Sequence, residues 1–390
     1  MRNARACTAA LAAVLPTPEQ TWLLRACLLD GEAGREAWRV WHALAGDAKA
    51  AMVEDRWSVK RLLPALYVAL RRSGAEVDAT LLSYLKLAYV REQMRATTYR
   101  RICGELVAVL AAAGVPAVLL RGAALVATVY DDPAVRHCHD VAFLVQPADL
   151  ARADAALRAA GLTSIAYAPN DEAPYAALRH ETSLPVELHG RLFAVPAYDL
   201  PWPELWPRAR EARIGEAVAR VLAPADALLH VCGHAFYSAS RESLRWVTDA
   251  WHILRRDGAV DWEQLGAAAE RGRLALPMLI MLRYLADALG ASVPAEVLGG
   301  LEAAVARAPA VERDVALRAV RSGTCESVTA LLRRSRGGWR VRALTVLWLL
   351  FPSRDYVRNV VGGRGGAAGW RYYVERPLNY LRARAARSST

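Results

Sequence analysis

Apolar residues in the first third of the chain recur at intervals typical of α-helices. Leu62, Leu63, Leu66 and Leu70 lie within a few positions of one another, at steps of one, three and four. Steps of three and four place side chains on one face of a helix, because the helix turns once in about 3.6 residues. We therefore predict that residues 17–110 are largely helical, with the last of these helices beginning near Tyr99.

Short, wholly apolar runs follow Gly114 and Pro116, which end this helical region. Residues 117–120 and 141–145 carry no polar side chain, and runs of this length are typical of strands buried on both faces. The remaining elements predicted for this part of the chain are strands at 162–167, 175–180 and 184–189 and helices at 122–130 and 147–160.

Helical periodicity returns over residues 223–320. The order of elements predicts an α+β protein, in which a small mixed β-sheet is flanked by N- and C-terminal helical regions. We divide the chain into a helical region (1–112), an α/β core (113–215), a second helical region (216–332) and a basic, aromatic C-terminal segment (333–390).

The positive charge of the chain is concentrated at its C-terminal end. The net charge is +11, and residues 333–390 contain 13 arginines but only Asp355 and Glu375 as acids. Such a segment fits a surface for nucleic acid, anionic lipid or an acidic partner, or a solvated tail. Nucleic-acid binding is therefore possible, but we favour packing of its aromatic residues against the helical region.

The six cysteines form no CxxC pair, which favours reduced thiols and a cytoplasmic location. The apolar run at residues 9–15 resembles a signal peptide only weakly. The longest C-terminal apolar run, residues 343–351, is about half of what a membrane-spanning helix needs. We predict no transmembrane segment.

Candidate chemistry lies around the two apolar strands. Arg121, Gly122 and Ala123 follow the first strand, Tyr130, Pro133 and Arg136 come next, and Asp140 immediately precedes the second strand. Glu187 and His189 lie in a later strand. This order resembles the signature of an uncharacterised bacterial family in the DNA polymerase β-like nucleotidyltransferase superfamily. The resemblance covers about residues 20–300 and includes the later block Arg245–Asp249.

The resemblance implies a nucleotidyltransferase, which moves a nucleotidyl group from a nucleoside triphosphate, with ATP as the expected one, to a small molecule or a peptide. It also suggests a setting in bacterial specialised biosynthesis. Mg²⁺ or Mn²⁺, held by Asp140 and Glu187 as catalytic acids, would neutralise the phosphates. Arg121, Gly122, Ala123, Arg136 and His189 are the expected nucleotide-binding residues.

One acid of the family pattern is missing. Alternate residues of a strand point to the same face, so Asp140 and residue 142 would share the metal ions. Residue 142 is alanine, which cannot bind a metal. Two hypotheses stay open: a weakened or single-metal enzyme, and a catalytically impaired protein that binds nucleotide or acts as a scaffold.

Three further assignments are open at the level of sequence. Arg136 is either a phosphate contact or a structural ion-pair partner. His137 and His139 could bind a metal together, but on an extended segment they would point away from Asp140. His230 and His234 lie four residues apart on a predicted helix, where packing beside the substrate is favoured over metal binding.

Overall fold

A computed structural model describes residues 14–54, 59–165, 175–193, 200–237, 244–256, 260–308, 312 and 373–374. Almost all of the C-terminal segment and of the weak signal-like run therefore lies outside the described residues. In chain order the helices are α1 (Pro18–Leu28), α2 (Gly31–Ala45), α3 (Ala48–Glu54), α4 (Leu63–Ser73), α5 (Ala79–Ala112), α6 (Arg121–Thr128), α7 (Leu150–Ala159), α8 (Trp202–Arg208), α9 (Pro224–Tyr237), α10 (Arg245–Leu254), α11 (Trp262–Arg271), α12 (Ala275–Leu289) and α13 (Ala295–Arg307).

Seven strands of the described residues form one mixed sheet. They are β1 (Ala117–Leu120), β2 (Val141–Val145), β3 (Thr163–Ser164), β4 (Ala176–Arg179), β5 (Pro185–His189), β6 (Arg210–Ile214) and β7 (Ala217–Val221). Their spatial order is β3-β4-β5-β2-β1-β7-β6. β1 pairs with β7, and β2 with β5, in parallel, whereas the other neighbours are antiparallel. The predicted α+β class with helical flanks is confirmed.

The central strands are apolar throughout because both of their faces are covered. Val118, Leu120 and Ala142 pack into a large apolar cluster with the helices of the N- and C-terminal parts of the chain. Leu119 and Phe143, on the opposite face, pack against the second half of α5 and against α7. Continuous apolar runs are typical of strands with two covered faces.

The helix predicted to begin near Tyr99 in fact begins at Ala79 and continues to Ala112. Asp78 caps its N-terminus by accepting hydrogen bonds from the backbone amides of Thr80 and Leu81. No proline or glycine interrupts residues 79–98, so nothing in the sequence stops the helix before Tyr99. The side chains of this one long helix reach both apolar clusters.

The hairpin formed by β6 and β7 was not predicted from the sequence. Its strands are joined by the two residues Gly215 and Glu216, and Gly215 has φ +62°. A glycine at the first position of a two-residue turn is a hairpin signal. β6 is largely exposed and rich in charge, so it lacks the apolar run that identified β1 and β2.

Candidate functional site

Asp140 and Glu187 are brought together by the parallel pairing of β2 and β5. Ala142 is paired with Glu187 in this register, and Asp140 stands two residues before Ala142. Nη1 of Arg121 lies 2.8 Å from Oε2 of Glu187 and 3.4 Å from Oδ2 of Asp140. The two carboxylates therefore converge beside the start of α6. We call Asp140, Glu187 and Arg121 the acid site.

The acid site is largely removed from solvent. The side chains of Asp140 and Glu187 are 10% and 9% exposed, and that of Arg121 is 22% exposed. Burial acts to raise the pKa of Asp140, but the charges of His139 and Arg121 outweigh it and lower that pKa below its ordinary value. Asp140 is consequently ionised at neutral pH.

His189 completes the inner part of the acid site. Its Nε2 lies 3.0 Å from Oε2 of Glu187. Burial lowers the pKa of His189, although the hydrogen bond with Glu187 acts to raise it. The ring is therefore neutral at pH 7. Because a carboxylate only accepts hydrogen bonds, Nε2 carries the proton and donates a hydrogen bond to Glu187.

The backbone at Arg121 is unusual. Its φ is +55°, in the left-handed region that residues with a Cβ rarely adopt. Such a conformation costs about 1–3 kcal/mol and persists where the surroundings enforce it. Here the sharp turn from β1 into α6 directs the guanidinium of Arg121 onto both acids.

The position of the missing third acid is filled by apolar packing. Ala142 is 1% exposed and belongs to the large apolar cluster. Only two carboxylates remain, and the guanidinium of Arg121 lies against both of them. Among the described residues no three His, Cys, Asp or Glu side chains are grouped as a metal site requires. The residues present therefore do not fit a two-metal centre.

Arg136 forms a buried ion pair with Asp249 of α10. Its Nε lies 3.1 Å from Oδ1 and its Nη2 lies 2.7 Å from Oδ2 of Asp249, so the contact is bidentate. The two side chains are only 7% and 6% exposed. Tyr130 donates a 2.7 Å hydrogen bond to Oδ1 of the same carboxylate. The structure thus shows Arg136 in an ion pair with a helical residue, and its contact with phosphate stays a prediction.

Gly122 makes room for this ion pair. A Cβ on Gly122 would lie 2.3 Å from Nη1 of Arg136 and 3.0 Å from Sγ of Cys138, far inside normal contact distance. The family glycine is thus explained by the packing of Arg136. Ala123 follows in α6 and lines a small cavity together with Asp140. For Gly122 and Ala123, contact with nucleotide stays a prediction.

Two arginines that the sequence did not single out stand near Asp140. The charges of Arg61 and Arg245 both interact with it. Burial lowers the pKa of Arg245 to about 10, and the positive charges of Arg136 and Arg61 add to that shift. Nη1 of Arg245 also lies 3.2 Å from Nδ1 of His139. Arg245 could have been found from its family block, whereas nothing in the sequence pointed to Arg61.

The histidines before β2 are arranged differently from the expectation. The rings of His137 and His139 are stacked, 5.9 Å apart. His139 does not point away from Asp140, because its Nδ1 lies 3.6 Å from Oδ1 of that residue. The prediction failed because residues 137–140 are not a strand, so alternation does not apply. His137 instead contacts Oε2 of Glu92 at 2.9 Å.

His230 and His234 lie inside the protein on α9. Their rings meet edge to face at 5.8 Å, and Phe193 packs on His230 at 5.6 Å. Burial, with the nearby charge of Arg121, lowers the pKa of His234 to about 3. Burial also lowers the pKa of His230, so both rings are neutral and packed against neighbouring aromatic side chains. Their position beside a substrate stays a prediction.

Buried neutral histidines make stability depend on pH. The pKa of His234 is lowered to about 3 and that of His252 to about 4, in each case mainly by burial. In the unfolded chain both pKa values return to about 6.5. Between these values the unfolded state binds more protons, so stability is full above about pH 6.5 and falls as pH drops toward 4.

We expect the urea midpoint to fall from pH 7 to pH 5, each histidine contributing up to about 1.4 kcal/mol per pH unit. Urea titrations across this range check it. A His252→Gln variant should show a shallower pH dependence than wild type, because it removes one of the groups. A stability that stays constant from pH 7 to pH 5 would contradict this account.

A mixed sheet in which Asp140 and Glu187 converge, next to a helix that begins with Arg121 and Gly122, is the arrangement expected of a nucleotidyltransferase-like protein. A family model described as an uncharacterised nucleotidyltransferase matches residues 56–290, more than half of the chain. The chain belongs to this family, as the resemblance predicted. A search of curated proteins and a search of solved structures each found no match. Within the described residues, no helix combines the length and apolar character that crossing a bilayer requires.

Proposed function

We propose that this protein binds the triphosphate of a nucleotide, ATP in the first instance, in a nucleotidyltransferase fold whose transfer chemistry is impaired. The observation that carries the proposal is the contact of Arg121 with both acids. A cation of the protein itself occupies the place between the carboxylates, and the third acid is replaced by the buried Ala142.

Charge around Asp140 supports the binding half of the proposal. Arg121 contacts both carboxylates of the acid site, and the charges of Arg61 and Arg245 interact with Asp140. Guanidinium groups suit phosphate because their planar fork donates two parallel hydrogen bonds. A triphosphate bound there would be neutralised by arginine.

A second candidate function is nucleotidyl transfer to a small molecule or a peptide. Membership of a nucleotidyltransferase family favours it, as do the ionised Asp140 and the retained Glu187. Mg²⁺ or Mn²⁺ would then have to displace Arg121 from both acids. Loss of a group that only supports a metal ligand lowers metal affinity or activity by roughly 10–100-fold. Loss of a ligand itself should lower them at least as much.

Calorimetry with ATP, in EDTA and in Mg²⁺ or Mn²⁺, tests the proposal. We expect saturable binding in EDTA, and we expect Arg245→Gln to weaken it roughly 10-fold or more, because a charged contact with phosphate is lost. Arg255→Gln is the matched control, since Arg255 follows the same helix but pairs with Asp30 at the surface. It should leave ATP binding unchanged.

Incubation with labelled ATP and candidate acceptors separates the two functions. Label that stays in the triphosphate pool, together with binding in EDTA, supports the impaired protein. Label transferred to an acceptor, in a reaction abolished by Asp140→Asn, supports the second function instead. Absence of ATP binding under every metal condition would refute both.

A further inference from the structure

The small cavity lined by Ala123 and Asp140 has a volume of about 220 Å³ and extends from the acid site between α5, α6 and β6. Its walls are mostly apolar and include Tyr99 and Cys103 of α5, Val126 of α6 and Ile214 of β6. We call it the α5–β6 cavity. It adjoins a larger groove of about 790 Å³ that follows the outer side of α5.

Most charged residues of the α5–β6 cavity are neutralised within the protein. Arg95 pairs with Glu92 at 3.1 Å, and Arg136 pairs with Asp249 at 2.7 Å. Asp131 pairs with Arg256 at 2.8 Å, and Asp140 belongs to the acid site. These groups contribute little net charge to a molecule bound in the cavity.

Arg100 and Arg213 are the exceptions. Within the part of the chain that the structure describes, neither guanidinium has a hydrogen bond or an ion pair. Both residues are exposed while they line the cavity, so they stand at its mouth. The cavity is thus apolar inside and carries uncompensated positive charge at its entrance.

The two arginines are carried by elements that touch. A Cβ on Gly104, one helical turn after Arg100, would lie 2.7 Å from the carbonyl oxygen of Ile214, the neighbour of Arg213. A Cβ on Gly215 would lie 3.3 Å from the carbonyl oxygen of Arg100 itself. This close approach fixes the relative position of α5 and the β6–β7 hairpin, and with it the position of both arginines.

We propose that the α5–β6 cavity binds a small molecule with an apolar body and a single carboxylate. The apolar body enters the cavity, where it is removed from water, and the carboxylate stays at the mouth between Arg100 and Arg213. The volume is below the roughly 300–1,000 Å³ of pockets for drug-sized ligands, so the molecule is small. The inference does not depend on nucleotide binding.

Binding of hydrocinnamate and of hydrocinnamyl alcohol, measured by calorimetry or ligand-detected NMR, tests the proposal. The two probes share the apolar body and differ in the carboxylate. We expect saturable binding of hydrocinnamate, at least roughly 10-fold tighter than that of the alcohol. The double variant Arg100→Gln, Arg213→Gln should remove this preference and leave the alcohol unaffected.

Arg101→Gln provides the matched control. Arg101 follows Arg100 on α5 but pairs with Glu105 and lines only the larger groove. It should leave hydrocinnamate binding unchanged. Equal affinity for both probes, no saturable binding of either, or equal loss in the Arg101 variant would overturn the proposal. Thermal unfolding of each variant shows whether the fold is retained, and ATP titration reports separately on the nucleotide proposal.

Discussion

Replacing Asp249 by alanine is expected to lower the free energy of unfolding by about 3–5 kcal/mol. The side chain of Arg136 is 7% exposed, and its guanidinium donates two hydrogen bonds to the carboxylate of Asp249. Burial disfavours its charge, and Asp249 outweighs that effect and keeps the pKa of Arg136 above its ordinary value. Without Asp249 a buried charge loses its counterion, and Tyr130 loses the shorter of its two hydrogen bonds.

Urea unfolding of the Asp249→Ala variant measures this effect. Asp131→Ala is the matched control, because Asp131 also pairs with an arginine but its side chain is 92% exposed. Its effect should stay within about 0.5 kcal/mol. Replacing both partners, with Arg136→Met and Asp249→Leu, should cost less than Asp249→Ala alone. Equal losses of unfolding free energy for Asp249→Ala and Asp131→Ala would show that the buried ion pair stabilises the fold no more than an exposed one.

The second large effect is expected from Ala142→Asp. Ala142 is 1% exposed and is paired with Glu187 across the sheet. A third carboxylate there enters a buried region in which Arg121 already contacts both existing acids. In EDTA we expect a loss of roughly 2–4 kcal/mol, because the new carboxylate is removed from water beside two like charges. Mn²⁺ should restore stability in this variant, by about 2.7 kcal/mol when the ion is at 100 times its Kd.

Thermal unfolding of wild type and variant, each in EDTA and in Mn²⁺, measures the metal effect. Ala142→Asn has nearly the same shape without the charge, and it should not gain stability from Mn²⁺. Wild type should also show no gain, since Arg121 lies against both of its acids. If Mn²⁺ stabilises wild type as much as Ala142→Asp, two carboxylates suffice for the metal, and the impaired-site proposal fails.

The sheet was predictable where burial imposes a pattern on the residues. β1 and β2 lie in the middle of the sheet, and their apolar runs identified them. β6 lies at the edge, where solvent tolerates Arg210, Glu211 and Arg213, so its sequence carries no such pattern. The only sequence signal for β6 is Gly215, the first residue of the short turn that follows it.

The acid site was predictable to the extent that it is encoded locally. Asp140 and Glu187 follow from motifs attached to strands, and the structure brings them together. Arg61 and Arg245 are distant from Asp140 in the chain, and only the packing of α10 and of the 3₁₀ turn Val59–Arg61 brings them near it. The contact of Arg121 with both acids depends on a backbone turn, which no residue pattern specified.

The length of α5 has a consequence for how this protein can change. Leu81 and Leu85, near its start, belong to one apolar cluster, and Ile102 and Leu106, near its end, belong to the other. Each residue of a helix advances it by about 100°, so one inserted or deleted residue between these pairs would turn one set away from its partners. The number of residues in the middle of α5 is therefore constrained independently of which residues they are. The length of α5 between the two clusters therefore determines how its side chains pack on both faces of the sheet.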